Sequence, residues 1–356
     1  MQLTQAQARA ISFVTQQANN LDTHELRMLE HILHMSNLSQ SDVSTCLDSI
    51  NHRAPIAVHF HPDRIGGNGC TVAQSMMALG RYLNQFESLI SNGKLDPCVG
   101  GERAEWENHL FGDVFSDTDL SERPKYGALD LFRHPDGPCP RFGSCYFVLS
   151  SAVSHRSTFC FGDSYLMPSV RGTMAEFTPI LASLLTESFD RETALGLKDI
   201  RPVQMMKRLS QAGRGSGIDF RQSQPVVRNL DHYIEAQIHG QLDLASDVEL
   251  LVADSSFQGT TQEEDLRQLC ERYQIQLMWR PGYRLPVAKV PEDFRGPEMI
   301  SLARRVAIDG EVTAYAIGVA ARTLVQNNNG LPEQQLSDAL QHLKLLWHVL
   351  VRFGQT

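Results

Sequence analysis

Ile56-Ala57-Val58-His59-Phe60-His61-Pro62-Asp63-Arg64 is the stretch where the chain changes character. Its first five residues are β-prone, and they run into a turn marked by Pro62, Gly66 and Gly67, so a short strand should end in an exposed turn here. Alternation along the strand end puts His59 and His61 on one face, where both can point into a cleft. Upstream the period is different. Ala8, Ile11, Phe13 and Val14, then Leu26, Leu29, Ile32 and Leu33, recur at three and four, with Ser39, Ser41 and Asp42 as helix starts. Residues 1–50 are therefore read as a helical N-terminal region.

Downstream, strands are expected at 144–149, 157–161, 233–238 and 248–252, and helices at 72–89 and 174–187. The stretch 201–224 is basic and contains Gly213, Gly215 and Gly217, which reads as a mobile loop. After residue 261 come a helix (263–273), a strand (275–279), a proline-punctuated stretch (281–297) and three helices. The division this suggests is 1–50, a mixed catalytic core at 51–260, and a mostly helical region at 261–356.

Composition narrows the class. With 42% hydrophobic and 21% charged residues, the chain has the make-up of a folded protein rather than a disordered one. A net charge of −9 argues against general nucleic-acid or anionic-membrane binding. No run reaches the roughly 20 apolar residues a spanning helix needs. The N-terminal stretch lacks the features of a cleaved export signal. The seven cysteines are scattered and never form C-x-x-C, so reduced buried thiols are expected rather than disulfides or a zinc ribbon. The expectation is a soluble, cytosol-type enzyme, with a non-enzymatic module that binds a host protein through the flanking helices as the alternative, and an effector injected without a cleaved signal would share these features.

Four segments carry residues suited to chemistry. His59 and His61 with Asp63 suit a metal-dependent hydrolase, given further ligands from His134, His155, His232 or His239. The plainer reading is a His-Pro turn with Arg64 in a surface ion pair. The His-Pro-Asp tripeptide also occurs in co-chaperone J-domains, but there it follows a helix and here it follows a strand. The second segment, residues 123–129 and 138–144, is rich in Gly and Pro, whose turns can face backbone N–H groups toward a ligand; Tyr126 can stack on an aromatic ring. In the third, Arg156 to Ser164, Ser157 and Phe159 face one way and Thr158 and Cys160 the other, and a Ser-Thr pair can brace a carboxylate; an ordinary buried strand is the alternative. In the fourth, Tyr233, Glu235, Gln237 and His239 share one strand face, opposite Ile234, Ala236 and Ile238. Acid, amide and imidazole in line exceed what a surface strand needs. A glutamate so placed suits stabilising positive charge on a sugar carbon as a glycosidic bond breaks.

Taken in order, 56–64 (IAVHFHPDR), 122–129 (ERPKYGAL), 141–145 (RFGSC), 157–164 (STFCFGDS) and 233–240 (YIEAQIHG) resemble the CteC-like family of bacterial effectors. That family consists of mono-ADP-ribosyltransferases that use NAD to modify a threonine hydroxyl of ubiquitin. The resemblance continues through 247–257 and 293–297 (DFRGP), so it covers most of the chain after residue 50. It implies an α+β fold: an ADP-ribosyltransferase-like split, mostly antiparallel β-sheet core with helical N-terminal and C-terminal additions. It also implies an order of Arg, Ser/Thr and Glu along the active-site strands, filled here by Arg64, Ser157 with Thr158, and Glu235 as the catalytic acid. Glu249 is a rival for that last place, and no third hydroxyl follows Ser157-Thr158, because Phe159 comes next. NAD is implied as co-substrate, held by His61, Arg64, Tyr126, Gly127, Ser157, Phe159 and Gln237, with no metal at the site. The nicotinamide would rest on Tyr126 or Phe159, and the pyrophosphate on the planar fork of Arg64. Ubiquitin is the implied protein partner, and secretion into a host cytosol, where the modification blocks ubiquitination, the implied setting. Its docking surface is sought in the basic residues Arg280, Arg284, Lys289 and Arg295, expected to be exposed, or in the N-terminal helices.

Overall fold

The fold, taken from a computed structural model, covers residues 2–20, 23–88, 98, 100–213, 230–327 and 332–356. Eight strands form its centre: β1 (Ile56–Phe60), β2 (Lys125–Leu129), β3 (Cys145–Leu149), β4 (Ser157–Phe161), β5 (Arg171–Thr173), β6 (Ile234–Ile238), β7 (Val248–Asp254) and β8 (Gln276–Arg280). They hydrogen-bond into one sheet in the order β8-β7-β3-β1-β2-β6-β4-β5. Neighbours are antiparallel except β7 and β8, which run parallel across the helix Thr261–Tyr273. A parallel pair needs such a crossover, because a hairpin turn cannot return the chain in the same direction. The architecture is α+β, with a large mixed central sheet and helices at both ends.

The junction between β1 and β2 is short. It consists of Ile56 opposite Leu129 and Ala57 opposite Ala128. Beyond it β1 continues only against β3, where His59 faces Tyr146 and Phe60 faces Cys145. β2 continues only against β6, where Tyr126 faces Gln237 and Lys125 faces Ile238. The sheet is thus one hydrogen-bonded unit whose halves part at its centre. Gly127 sits where they part: a Cβ there would lie 2.7 Å from the Ala57 carbonyl oxygen and 2.8 Å from Ile56 Cγ2. Absence of a side chain lets the two strands approach at this point.

Alternation sorts the two faces. Ile56, Val58, Phe60, Leu129, Phe147, Phe159, Ala236 and Ile238 enter a large buried cluster that also contains Ile32, Ile50, Leu184, Leu266 and Leu346. Segments from both ends of the chain therefore share one core with the sheet. Cys160, on the other face, packs with Ala10 and Val14 of the helix Gln5–Asn19 and with Leu110 and Phe111 of the helix Glu102–Phe111. Cys46, Cys139, Cys145, Cys160 and Cys270 are buried thiols. Among the described residues, no helix is long and apolar enough to cross a membrane.

Three sequence expectations need correction. The helix expected over 72–89 runs only Val72–Leu79, because Gly80 adopts φ 69° and caps it; a two-residue strand and the short helix Gln85–Ser88 follow, and residue 89 lies outside the described residues. The stretch 201–224 begins as a helix, Pro202–Leu209, which buries Met205, Met206 and Leu209; its part from 214 onward lies outside the described residues. Arg280 is not an exposed loop cation. The parallel register sets it opposite Asp254, and its Nη2 donates to Asp254 Oδ2 at 2.8 Å and to the Ser144 carbonyl at 3.1 Å, with both charged side chains almost fully buried.

The crowding at Gly127 predicts a specific cost. Gly127→Ala should lower stability by about 1–3 kcal/mol, because the strands must shift to admit a methyl group. Gly67→Ala, where a Cβ meets nothing within 4 Å, should stay within about 0.5 kcal/mol of wild type. Urea unfolding of the two variants checks the difference.

Candidate functional site

Where β1 and β2 part, a cavity of 880 Å³ opens. Its volume falls within the roughly 300–1,000 Å³ range of small-molecule sites. β1 and its turn supply His59, Phe60, His61 and Arg64, β2 supplies Lys125, Tyr126 and Gly127, and β6 supplies Glu235. Arg103 and Trp106 come from the helix Glu102–Phe111, and Gln341 and Lys344 from the C-terminal helix Glu333–Phe353.

Glu235 is the buried carboxylate of this wall, 5% exposed. The Ser164 hydroxyl donates to its Oε1, and Gln237 Nε2 donates to the same oxygen at 2.9 Å. Gln237 Oε1 accepts from Thr158 Oγ1 at 2.8 Å, and Thr158 Oγ1 lies 3.2 Å from His239 Nε2. From Glu235 to His239 the polar face expected for β6 is thus a continuous hydrogen-bonded series, with Thr158 of the neighbouring strand bracing the amide that braces the acid; the Tyr233 hydroxyl stands outside it. Burial first, and the neighbouring Asp163 second, push the Glu235 carboxyl up to about 7, against the hydrogen bonds from Ser164 and Gln237.

The other expected residues divide. Arg64, His61, Tyr126 and Gly127 line the same cavity as Glu235. Thr158 and Gln237 are not among the lining residues and stand behind Glu235. Ser157 and Phe159 do not reach the cavity. Ser157 Oγ donates to the Val153 carbonyl at 2.9 Å, and Phe159 is fully buried against Phe177 in the core. Strand alternation separates them from Thr158, so bracing falls to the threonine alone, and Phe159 cannot hold a nicotinamide ring. Glu249 is exposed beside a register shift in β7 and does not line the cavity.

His59 and His61 both line the cavity, yet each is already engaged. The His59 ring stacks on Tyr146 at 4.8 Å with Nδ1 3.2 Å from the Gly143 carbonyl oxygen, and the His61 ring meets Trp347 edge-on at 5.0 Å. Burial holds both imidazoles down to about 3, so they are neutral near pH 7. Asp63 accepts from Arg322 Nη1 at 2.7 Å. Among the described residues, no three His, Cys, Asp or Glu side chains are grouped to hold a metal ion, so the two-histidine hydrolase reading lacks a ligand set.

Several site residues escaped the sequence reading. Trp106 stacks on Tyr126 with centroids 5.5 Å apart, and Arg103 lies 5.0 Å from the Trp106 centroid. Tyr126 Oη donates to Glu107 Oε1 at 2.8 Å, and Glu107, fully buried, also accepts from Arg123 at 2.8 Å. Trp106 Nε1 donates to the Ser164 carbonyl at 2.9 Å, which ties the aromatic pair to the residue that holds Glu235. The helix carrying Trp106 has a weak apolar period, and nothing local marks it as a wall of a site. The cavity lining is also more basic than the chain. Arg64, Arg81, Arg103, Lys125, Arg141 and Lys344 stand against Glu87, Glu102, Asp163 and Glu235, in a protein of net charge −9.

A family described as "Protein of unknown function (DUF3626)" matches residues 55–353. The chain belongs to this family. The DUF3626 match begins just before β1 and ends within the C-terminal helix, so it contains every residue that lines the cavity. The helices before residue 55 lie outside it. Comparison with curated proteins gives no match.

The environment of Glu235 sets a pH signature. A carboxyl raised from its usual value of about 4.3 to about 7 keeps its proton in the folded state over an interval where the unfolded chain has released it. Its stabilising effect is therefore full below pH 4 and is lost as pH rises through about 7, at roughly 1.4 kcal/mol per pH unit. Unfolding measured from pH 4 to pH 8 should show Glu235→Gln gaining on wild type over that interval; parallel curves would place Glu235 in an ordinary solvated setting.

Proposed function

We propose that this protein is a mono-ADP-ribosyltransferase that transfers ADP-ribose from NAD to a threonine hydroxyl of ubiquitin, and that it acts as a secreted effector in a host cytosol. The observation that carries the proposal is the meeting of buried Glu235, Arg64 and the Trp106–Tyr126 pair in one cavity, in strands whose sequences resemble that family. In this reading the parted sheet is the split sheet of the ADP-ribosyltransferase fold, and the nucleotide enters where β1 and β2 diverge.

The residues suit the parts of NAD. The guanidinium of Arg64 offers a planar, permanently charged fork to a phosphate. Tyr126 and Trp106 offer aromatic faces for a planar ring, Tyr126 taking the place also considered for Phe159. Breaking the nicotinamide–ribose bond builds positive charge on the sugar carbon. The Glu235 carboxylate, held by Ser164 and Gln237, stabilises that charge and accepts a hydrogen bond from a ribose hydroxyl. A threonine hydroxyl is a weak nucleophile, so positioning it against the sugar carbon supplies much of the rate. Ubiquitin must dock outside the cavity, and Arg284 and Lys289 are the exposed cations for that role, since Arg280 is buried.

Mass spectrometry of ubiquitin incubated with NAD and the protein tests the proposal directly. A threonine-linked ADP-ribose should appear with or without chelator. Glu235→Gln should cut the rate on the order of 10²–10³-fold while Glu249→Gln leaves it intact. Because the charged carboxylate is the working form, wild-type activity should climb as pH rises through about 7. Arg64→Lys should not restore the NAD affinity that Arg64→Ala loses, read by calorimetry. An unmodified ubiquitin and unconsumed NAD would end this reading. Reversing the charges of Arg284 and Lys289 should spare hydrolysis of NAD by water and abolish transfer to ubiquitin; equal loss of both would make that segment structural.

A further inference from the structure

The hydrogen-bonded series behind Glu235 has a direction, and its far end decides it. A threonine hydroxyl has one proton to donate. Thr158 Oγ1 lies 2.8 Å from Gln237 Oε1 and 3.2 Å from His239 Nε2, so it donates to one and must accept from the other. A charged Glu235 carboxylate needs an N–H from the Gln237 amide, which it receives at 2.9 Å, and this turns Gln237 Oε1 toward Thr158. The Thr158 proton therefore goes to Gln237. The contact with His239 is then satisfied only if Nε2 carries the ring proton and donates it to Thr158.

The surroundings of His239 agree with this tautomer. The residue is fully buried, its ring edge-on to Phe111 at 5.3 Å and parallel to Phe115 at 6.2 Å. Burial first, then the charges of Lys125 and Arg156, hold the imidazole down to about 3, so near pH 7 it is neutral with a single N–H. Among the described residues Nδ1 has no hydrogen-bond partner. With the proton on Nε2, Nδ1 keeps only an unused lone pair. With the proton on Nδ1, a buried N–H would lack an acceptor, which is the rarer omission in folded chains. The backbone fixes the ring in place: the His239 N–H donates to the Arg156 carbonyl at 3.1 Å, and the Arg156 guanidinium donates to the His239 carbonyl and, at 2.9 Å, to Asp247 Oδ2. His239 does not line the cavity, so its hold on Glu235 passes through Thr158 and Gln237.

We propose that His239 is a positioning residue for Glu235: its Nε2–H, donated to Thr158, sets the direction of the series so that Gln237 presents its amide N–H, and not its carbonyl, to the carboxylate. The acid is thereby held by a donor that favours its charged form, the form that meets positive charge developing in the cavity. Asp163 is the neighbouring charge that opposes this form, and Tyr126, Tyr233, Cys139 and Cys160, which also face Glu235, are held neutral by burial. The bearing of His239 on rate rests on the transferase reading, whereas the direction of the series does not.

Nitrogen NMR of the full-length chain, labelled in histidine, measures the tautomer directly. At pH 8 the His239 signals, identified by their loss in His239→Phe, should show a protonated Nε2 and a bare Nδ1. The titration of Glu235, followed by its carboxyl carbon and identified by its loss in Glu235→Gln, should move up by about half a pH unit in His239→Phe, which keeps a flat ring between Phe111 and Phe115 but offers no proton. His239→Gln, which restores an N–H donor in a side chain that packs less well, should bring the titration back toward wild type. A histidine that only fills space predicts the opposite ranking, with His239→Phe harmless and His239→Gln disturbing. That ranking, or a protonated Nδ1 beside a bare Nε2, overturns the proposal, and the second of these is measured on wild type, whether or not a variant folds. The expected tautomer and titration without any NAD consumption leave the positioning role standing and remove the transferase reading. NAD consumption with a protonated Nδ1 does the reverse.

Discussion

Two residue pairs hold the halves of the sheet together, and the rest of the molecule follows from how short that junction is. Ile56 and Ala57 meet Leu129 and Ala128, and then the strands go separate ways. A longer ladder would have filled the space with backbone hydrogen bonds and left no opening. A shorter one would have left the halves to drift, since a pair of strands gains stability only through its neighbours and its packed face. Gly127 makes the junction possible by removing the atoms that would collide with Ala57 and Ile56. β3 and β6, each completing one half, then keep the parted ends of β1 and β2 extended.

Because the opening lies in the sheet itself, its wall is made of strand residues from both faces. His59, Tyr126 and Glu235 come from one face, and Phe60, Lys125 and Gly127 from the face that also builds the core. Strand-borne side chains are held more firmly than loop-borne ones. The acid gains further fixation from Ser164, Gln237 and Thr158, and Trp106 links Ser164 to the aromatic wall. A buried carboxylate with two or three donors and a raised pKa is an arrangement that stability alone does not favour, since a hydrophobic residue there would fold at least as well.

The helical ends are part of the same construction. The core cluster draws on Ile32 and Ile50 from before the family match and on Leu346 and Val349 from near its end. Asp63, in the turn after β1, is paired with Arg322 of the helix Ala314–Gln326, and Trp347 donates to the Pro140 carbonyl. These contacts seat the C-terminal helices beside the cavity, where Lys344 and Gln341 become part of its wall.

The sequence by itself determined most of the local elements and the polarity of their faces, but it read 123–129 as turns where the chain forms the strand β2. β1 and β4 fall on the expected residues, and β3, β6 and β8 begin one residue later than expected, because β-prone runs bounded by turn residues specify strands through nearest-neighbour sterics and alternation. Alternation likewise separated Thr158 from Ser157 and grouped Glu235, Gln237 and His239, since a period of two needs no knowledge of partners. Local patterns cannot report which strands pair or where pairing stops, and those long-range choices made the cavity. Only the tertiary structure decided that Phe159 faces core, that Glu249 lies outside the site, and that Arg280 spends its charge on Asp254. It alone brought Trp106 and Lys344, far apart along the chain, to one wall. The physical reason is that burial and charge pairing are properties of what the rest of the chain places nearby, and no window of neighbouring residues contains that information.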